Sequence, residues 1–227
     1  MARYGITTSD RVLGVTMGDL RALGKRLGCQ HELAAALWAS GCYEARLLTA
    51  FVADPERLRP AEMERWSRQF DNWAVCDTLC FALFDRSPHA FAQVEAWAER
   101  PEEFVRRAAF ALLASLALHD RTSDDAAFLV RLPLVEAAAS DDRNFVKKGV
   151  SWALRSIGGR SPELHAASLE LAERLASSSE PSSRWVGKDA LRDLSRPAVR
   201  RRVASRAAKR ASTGTGKKRP GRSPRTA

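Results

Sequence analysis

The sequence predicts an all-α fold made of stacked helical hairpins, because it combines helical hydrophobic periodicity with short, regularly placed breaks. Between residues 17 and 194, apolar residues recur at the 3.6-residue spacing of amphipathic helices in successive segments of about three turns. Pairs such as Asp54-Pro55 and Arg100-Pro101 separate these segments. No segment alternates apolar and polar residues as a half-buried strand does. Short links between short helices favour antiparallel neighbours, and therefore hairpins.

A repeat of about 40 residues indicates how these hairpins stack. The segments Phe104-Val105-Arg106-Arg107, Phe145-Val146-Lys147-Lys148 and Trp185-Val186-Gly187-Lys188 are alike, and their aromatic residues are 41 and 40 positions apart. Helical repeats of this length are typical of HEAT and armadillo proteins, in which each unit packs on its neighbours. The sequence therefore predicts a HEAT-like helical-repeat solenoid, an α-α superhelix, over residues 1–197.

The positive charge of the chain is concentrated at its C-terminal end. The formal net charge is +10, and eleven of the 37 Lys and Arg residues lie in 198–227, which contains no Asp or Glu. The remaining 26 basic residues face 27 acidic residues in 1–197, so this body is nearly neutral. We interpret 198–227 as a basic tail, disordered from about Ala211 because of its low complexity. It either contacts nucleic acid phosphates without sequence preference or only improves solubility.

Several other classes of protein and site are disfavoured. No apolar run approaches the roughly 18 residues of a membrane span, and the first ten residues lack an apolar signal core, so we expect a cytoplasmic protein. The four cysteines are interpreted as small core residues rather than metal ligands, since they form no C-x-x-C pair. His119-Asp120 is interpreted as a helix terminus, and no phosphate-binding glycine loop occurs.

A stripe of basic residues is the first candidate for function. The repeat register aligns the cationic positions Arg107, Lys148 and Lys188. Residues three or four positions further along lie on the same helix faces. The members of this stripe are Arg107, Lys148, Trp152, Arg155, Lys188 and Arg192. Basic residues interleaved with an aromatic residue suit a DNA backbone. The alternative is an ordinary solvated helix face.

Asp77 is the second candidate. Trp73 and Asp77 are four residues apart and share one helix face, and Asp77 has mainly apolar neighbours in sequence. A buried carboxylate needs a compensating partner, which Arg107 could supply. One interpretation is that the pair ties two repeats together. The other is catalytic: the carboxylate stabilises positive charge that develops on a sugar, and the tryptophan faces hold a cationic base.

Three segments of the sequence resemble the DNA alkylation-repair (AlkD-like) family. They are 70–77, with the Trp-x-x-x-Asp pattern of Trp73 and Asp77; 104–109, with Arg107; and 144–155, with Lys148, Trp152 and Arg155. The resemblance runs from about Arg3 to Arg200. It implies a solenoid whose concave face binds duplex DNA. It also implies an enzyme that hydrolyses N3- and N7-alkylpurine glycosidic bonds in base excision repair. It further implies no metal or organic cofactor, and no swinging of the base into a closed pocket.

The resemblance also implies roles for individual residues. Asp77 would be the catalytic carboxylate, Trp73 and Trp152 would line the cleft, and Arg107 would support it. Lys148 and Arg155 would contact the DNA backbone or support the cleft, and we place Lys188 and Arg192 on the same DNA-binding face. The implied partner is duplex DNA containing alkylated purines. Nothing in the sequence demands more than a monomer, and we expect the protein to be nucleoid-associated while it is bound to DNA.

Two alternatives to a glycosylase are a noncatalytic HEAT-repeat protein that binds damaged or branched DNA, and a protein–protein scaffold. Family members usually have one or two helices before the point matching Met1, so we expect an incomplete N-terminus or a member lacking its first unit. A missing end unit would expose apolar surface that a cap normally covers. The presence of Trp73, Asp77, Arg107 and Trp152 together favours the glycosylase.

Overall fold

The computed structural model describes residues 1–214, and α-helices dominate this part of the chain. A 3-10 helix (Ala2–Tyr4) comes first, and another (Phe84–Arg86) follows α5. The α-helices are α1 (Met17–Leu27), α2 (His31–Ala39), α3 (Tyr43–Val52), α4 (Pro60–Ser67), α5 (Trp73–Ala82), α6 (Ala90–Ala98), α7 (Glu103–His119), α8 (Ala126–Leu129), α9 (Leu132–Ala138), α10 (Asn144–Gly158), α11 (Pro162–Ala176), α12 (Pro181–Leu194) and α13 (Pro197–Gly214). Within residues 1–214 the only β-type pairing is an isolated bridge between Arg11 and Cys42.

The helices form two layers. One layer, called here the inner layer, contains α1, α3, α5, α7, α10 and α12, each packed on the next. The second layer contains α2, α4, α6, α9, α11 and α13. Of these, α2, α6, α9 and α11 pack against the inner helix that follows them, α4 packs against α7, and α13 packs against α11 and α12. The predicted HEAT-like solenoid is therefore confirmed. A continuous core, which includes Trp66, Trp97, Phe110 and Leu154, lies between the layers.

The aromatic repeat marks equivalent places in three inner helices. Phe104 and Phe145 are the second residues of α7 and α10, and their ring centroids are 5.3 Å apart. Trp185 lies in the first turns of α12, where it is 39% exposed and Lys147 is 5.6 Å from its ring centroid. The 40-residue period thus corresponds to one step along the inner layer.

After the 3-10 helix Ala2–Tyr4, the segment that precedes α1 crosses the inner layer as an irregular stretch of chain with one isolated bridge, between Arg11 and Cys42. Thr8 Oγ1 and the Ser9 amide donate to Asp71 Oδ2, at 2.7 and 3.0 Å, and the Leu13 and Gly14 amides donate to Glu44. Carboxylates at the starts of α3 and α5 therefore hold the segment in place, while Leu13 remains 58% exposed.

The last described helix begins at the predicted end of the body but is not separate from it. Val199 and Val203 of α13 are buried with Leu194 of α12, and Arg206 Nη1 donates to the Gly159 carbonyl at 2.7 Å. The helix continues to Gly214, so it includes the first residues of the segment for which the sequence predicts disorder. The remainder of that prediction, residues 215–227, lies outside the described residues. Among the described helices, none has the length and apolar character needed to cross a membrane.

Gly187 allows α12 to approach α11 at backbone distance. A Cβ atom at this position would lie 2.2 Å from the Ala176 nitrogen and 2.6 Å from the Ala172 carbonyl oxygen. Backbone atoms cannot yield as a flexible side chain does, so any side chain here forces the two helices apart. In contrast, a Cβ atom at Gly149 in α10 would meet its nearest neighbours at 3.5 Å, an ordinary contact distance.

We therefore expect Gly187→Ala to lower the free energy of unfolding by about 1–3 kcal/mol, as overpacking generally does. The matched variant Gly149→Ala should leave it unchanged or raise it by up to about 1 kcal/mol, since alanine is the better helix former. Urea denaturation followed by circular dichroism measures both. Equal stability of Gly187→Ala and wild type would show that the α11–α12 contact is looser than described.

Candidate functional site

The start of α5 places Trp73 and Asp77 on the inner layer. The buried Asn72 side chain caps this helix, because its Oδ1 accepts hydrogen bonds from the Ala74 and Val75 amides at 3.0 and 3.1 Å. Trp73 is thereby the first residue of the helix, and Asp77 lies one turn later on the same side. The cap fixes where the helix begins, and so fixes the position of both side chains.

Asp77 forms a two-point ion pair with Arg107 of α7. Arg107 Nε donates to Asp77 Oδ1 at 2.9 Å, and Nη2 donates to Oδ2 at 2.7 Å. The third nitrogen, Nη1, donates to the Phe145 carbonyl of α10 at 2.7 Å. The side chains of Arg107 and Asp77 are only 8% and 16% exposed. This planar pairing gives the carboxylate one orientation, because the guanidinium fork matches it at both oxygens.

Burial raises the pKa of the Asp77 carboxyl above its ordinary value, and the charge and hydrogen bonds of Arg107 oppose that effect. The guanidinium keeps its charge throughout the physiological pH range. An uncharged Asp77 would leave that buried cation without a counter-charge. The ionised pair is therefore the form that the hydrogen-bond geometry supports near neutral pH.

A surface cleft of about 420 Å³ opens in front of Asp77. Side chains from five inner helices line it: Arg21 of α1, Phe51 of α3, Asp77, Thr78, Phe81 and Ala82 of α5, His119 of α7 and Trp152 of α10. Consecutive helices of the inner layer therefore line a single cleft. Arg107 lies behind Asp77, so the carboxylate is the end of the ion pair that faces the cleft.

An aromatic stack forms one wall of the cleft. The ring of Trp152 lies parallel to that of Phe81, with centroids 4.5 Å apart and an interplanar angle of 12°. His119 meets Phe81 edge to face, at 5.7 Å and 88°. One face of the half-buried Trp152 is thus covered by Phe81. The rest of its ring is what a ligand in the cleft can contact.

Trp73 is placed differently from Trp152. Its indole Nε1 donates to the Tyr4 carbonyl at 3.0 Å, so the segment before α1 lies against it. The residues that line the cleft include Asp77 and Trp152 but not Trp73. Trp73 therefore adjoins the cleft through the same helix face as Asp77, while its polar edge is bound by the N-terminal segment.

The basic stripe of the sequence analysis divides into two kinds of residue. Arg107 is buried with Asp77, whereas Lys148 and Lys188 are exposed on α10 and α12. Arg155 Nε lies 3.6 Å from Asp189 Oδ2, and Arg192 pairs with Asp189 Oδ1. Asp189 thus partly neutralises the charge of Arg155 and Arg192, two of the six residues of the stripe. Within the stripe, the positive charge that no carboxylate of the described residues neutralises comes from the two lysines.

Sequence reasoning missed Phe81, His119 and Arg21 as residues of the cleft. A helical signal existed for Phe81, which lies four residues after Asp77 on the same helix face. His119 lies on α7 twelve residues after Arg107, which corresponds to three steps of four residues each. It ends that helix as predicted, yet its side chain also lines the cleft. In the part of the chain that the structure describes, no three His, Cys, Asp or Glu residues converge as a metal site.

Comparisons with known proteins agree with the fold. The sequence profile of a family described as "DNA alkylation repair enzyme" matches residues 1–194, which include every residue of the cleft. A solved structure with a TM-score of 0.69 and 19% identity covers 84% of this chain and 86% of its own. It is described as "A new family of proteins related to the HEAT-like repeat DNA glycosylases with affinity for branched DNA structures". At this identity the likeness establishes the fold alone.

Two designed armadillo repeat proteins are less similar. One, in complex with the peptide (KR)4, has a TM-score of 0.39 and 11% identity and covers 88% of this chain and 85% of its own. The other has a TM-score of 0.34 and 14% identity and covers 78% and 92%. A search among curated proteins gives no significant match.

The ion pair makes a testable contribution to stability. Arg107→Met should lower the free energy of unfolding by about 3–5 kcal/mol, because it leaves the Asp77 carboxylate buried without its partner. The double variant Asp77→Asn/Arg107→Met should recover part of this loss, since the uncompensated charge is gone. Denaturant unfolding at pH 7 measures the complete double-mutant cycle.

Arg174→Met is the matched control for this cycle, because Arg174 bonds Glu136 on the outer layer and is half exposed. Its effect should stay below about 1 kcal/mol. If Arg107→Met were no more destabilising than Arg174→Met, the buried pair would not hold the inner helices together.

Proposed function

The chain belongs to the family of DNA alkylation repair enzymes, and we propose that it hydrolyses the N-glycosidic bond of N3- and N7-alkylated purines in duplex DNA. The observation that carries this proposal is the placement of Asp77. Its carboxylate faces a cleft that Trp152 also lines, and Arg107 fixes it from behind. That arrangement of a negative charge and an aromatic ring suits the reaction.

The carboxylate acts on the sugar. Cleavage of the bond proceeds through a transition state in which the deoxyribose ring becomes positively charged. A unit negative charge about 4 Å away is worth on the order of 4 kcal/mol at an effective dielectric of 20. Arg107 reduces this figure, but it lies farther from the cleft than Asp77 does. Expressed only in the transition state, 4 kcal/mol corresponds to roughly a thousandfold in rate.

The aromatic wall acts on the base. An N3- or N7-alkylated purine nucleoside is cationic, so it is attracted to the electron-rich face of a tryptophan by about 0.5–2 kcal/mol. Trp152 supplies such a ring next to Asp77, and Phe81 supports it by stacking. Since the alkylated base is already an activated leaving group, a strong general acid is not required.

Binding of the DNA backbone uses charge outside the cleft. Lys148 and Lys188 are exposed on adjacent inner helices, and Arg155 and Arg192 flank Asp189 beside them. Contacts to phosphates position a protein on DNA without reading its sequence. We propose that these four residues track the backbone on either side of the damaged nucleotide.

Binding of branched DNA without chemistry is the second candidate. The solved structure of similar fold is described as having affinity for branched DNA. The contact of Trp73 with the N-terminal segment also favours this candidate. Its indole Nε1 is bound to the Tyr4 carbonyl, although Trp73 was expected to line the cleft. Under this hypothesis Asp77 and Arg107 tie α5 to α7 and have no catalytic role.

Base release separates the two candidates. The wild-type protein should release 7-methylguanine or 3-methyladenine from methylated duplex DNA. Asp77→Asn should lower the single-turnover rate by roughly a hundredfold to a thousandfold, because the charge near the sugar is lost. DNA affinity, measured separately by fluorescence anisotropy, should be retained.

Glu136→Gln is the carboxylate control, since Glu136 lies on the outer layer and pairs with Arg174. It should release base at the wild-type rate. A folded wild-type protein that binds branched DNA and releases no base would favour the second candidate.

The pH dependence of base release follows from the burial of Asp77. Its proposed role requires the ionised carboxylate, and burial raises its pKa above the ordinary value of about 3.9. The enzyme-dependent rate should therefore fall as the pH is lowered, with a midpoint above 3.9. Measurements over this range are corrected for spontaneous depurination and accompanied by circular dichroism. A folded enzyme whose rate stays constant to below pH 3.9 contradicts the assignment.

A further inference from the structure

A second buried carboxylate, that of Asp85, pairs with His119 at the other end of the cleft wall. His119 Nδ1 and Asp85 Oδ2 are 2.6 Å apart, and Ser115 Oγ donates to the same carboxylate oxygen at 2.6 Å. The Asp85 side chain is 2% exposed, and its Oδ1 has no hydrogen-bond partner among the described residues. A buried carboxylate with one open oxygen is stabilised by a neighbouring cation more than by a neutral group.

The hydrogen bond to Asp85 determines the tautomer of His119. A carboxylate accepts, so Nδ1 carries the proton and Nε2 of the neutral ring presents a lone pair. Nε2 forms no hydrogen bond with the described residues, and the side chain is 53% exposed. The imidazole is therefore held at one nitrogen and available as a base at the other.

His119 is also in the right part of the molecule. It lines the same cleft as Asp77 and Trp152, and its ring meets the edge or face of Phe81, on which Trp152 stacks. It ends α7, where the carbonyl groups at the helix C-terminus favour a positive charge.

Asp77 is poorly suited to accept a proton from water. Both of its oxygens already accept hydrogen bonds from Arg107, and protonation would leave that guanidinium without a counter-charge. The geometry therefore favours a second group of the cleft, within reach of the attacking water, as the proton acceptor. Among the side chains that line the cleft, His119 has a ring nitrogen, Nε2, that forms no hydrogen bond with the described residues.

We propose that His119 is the general base of the proposed glycosylase reaction, oriented by the positioning residues Asp85 and Ser115. This proposal rests on the proposed function. The bond between C1′ and the purine nitrogen breaks, and the electron pair leaves with the alkylated base as a neutral purine. A water oxygen forms the new bond to C1′, and one proton of that water passes to His119 Nε2. The imidazolium then returns the proton to solvent through its exposed edge.

Other charged groups face the imidazole and set its environment. Asp77 of α5 and Arg21 of α1 line the same cleft. A second cavity, of about 650 Å³, lies on the other side of His119 and is lined by Glu56, Asp85, Arg86, Asp120 and Arg121 among others. Asp85 is the carboxylate in direct contact with the ring.

The test measures base release from 7-methylguanine duplex DNA in single turnover, together with DNA affinity, for the full-length protein and its variants. His119→Ala should release base about a hundredfold more slowly, within the usual range for a general base, with unchanged affinity. Added imidazole should restore part of the rate in His119→Ala and none in Asp77→Asn. Asp85→Asn and Ser115→Ala should show smaller losses, and imidazole should not correct them.

His89→Ala is the matched control, because His89 precedes α6 outside the cleft, and it should behave as wild type. Wild-type rates in His119→Ala, or a loss that imidazole does not rescue, would overturn the proposal. If Asp77→Asn is inactive while His119→Ala is fully active, only this inference fails. If the folded wild type releases no base, the proposed function fails and takes this inference with it.

Discussion

Three consecutive helices of the inner layer meet at the guanidinium of Arg107. It binds the Asp77 carboxylate of α5 through two nitrogens and the Phe145 carbonyl of α10 through the third. Removing two charges from water is costly, and good geometry has to offset that cost. The register of α5, α7 and α10 therefore depends on this contact. A shift of any one helix would leave a buried polar group unsatisfied.

Under the proposed function, the same contact also prepares Asp77 for catalysis. A carboxylate fixed at both oxygens does not reorient when charge develops nearby, so little energy is spent on reorganisation during the reaction. The helices α5 and α7 run parallel here, as the bonds from Cys76 Sγ to the Phe104 carbonyl and from Cys80 Sγ to the Ala108 carbonyl show. Parallel packing brings a second pair, Asp85 and His119, to the far side of Phe81.

Periodicity and spacing predicted what depends on local sequence. The 40-residue period located the inner helices, and the four-residue step from Trp73 to Asp77 placed both on one face. The partnership of Asp77 with Arg107 was expected from charge and burial, and the structure contains it. The pairing of Asp85 with His119 was not predictable, because Asp85 follows the end of α5 in a 3-10 turn. The bond from Trp73 to Tyr4 was equally hidden, since the N-terminal segment has no periodic pattern.

Charge for binding and charge for chemistry are separated in this molecule. The body is nearly neutral, and Asp189 further reduces the positive charge of Arg155 and Arg192. The first turns of the basic helix α13 pack on α12, and Arg206 donates a hydrogen bond to the end of α10. The cationic side chains of these turns therefore lie at a fixed distance from the cleft. Interactions of these exposed cations are screened by salt, whereas the buried carboxylates of Asp77 and Asp85 are screened far less. Under the proposed function, the affinity for DNA would therefore change with ionic strength while the electrostatics of the cleft stay nearly constant.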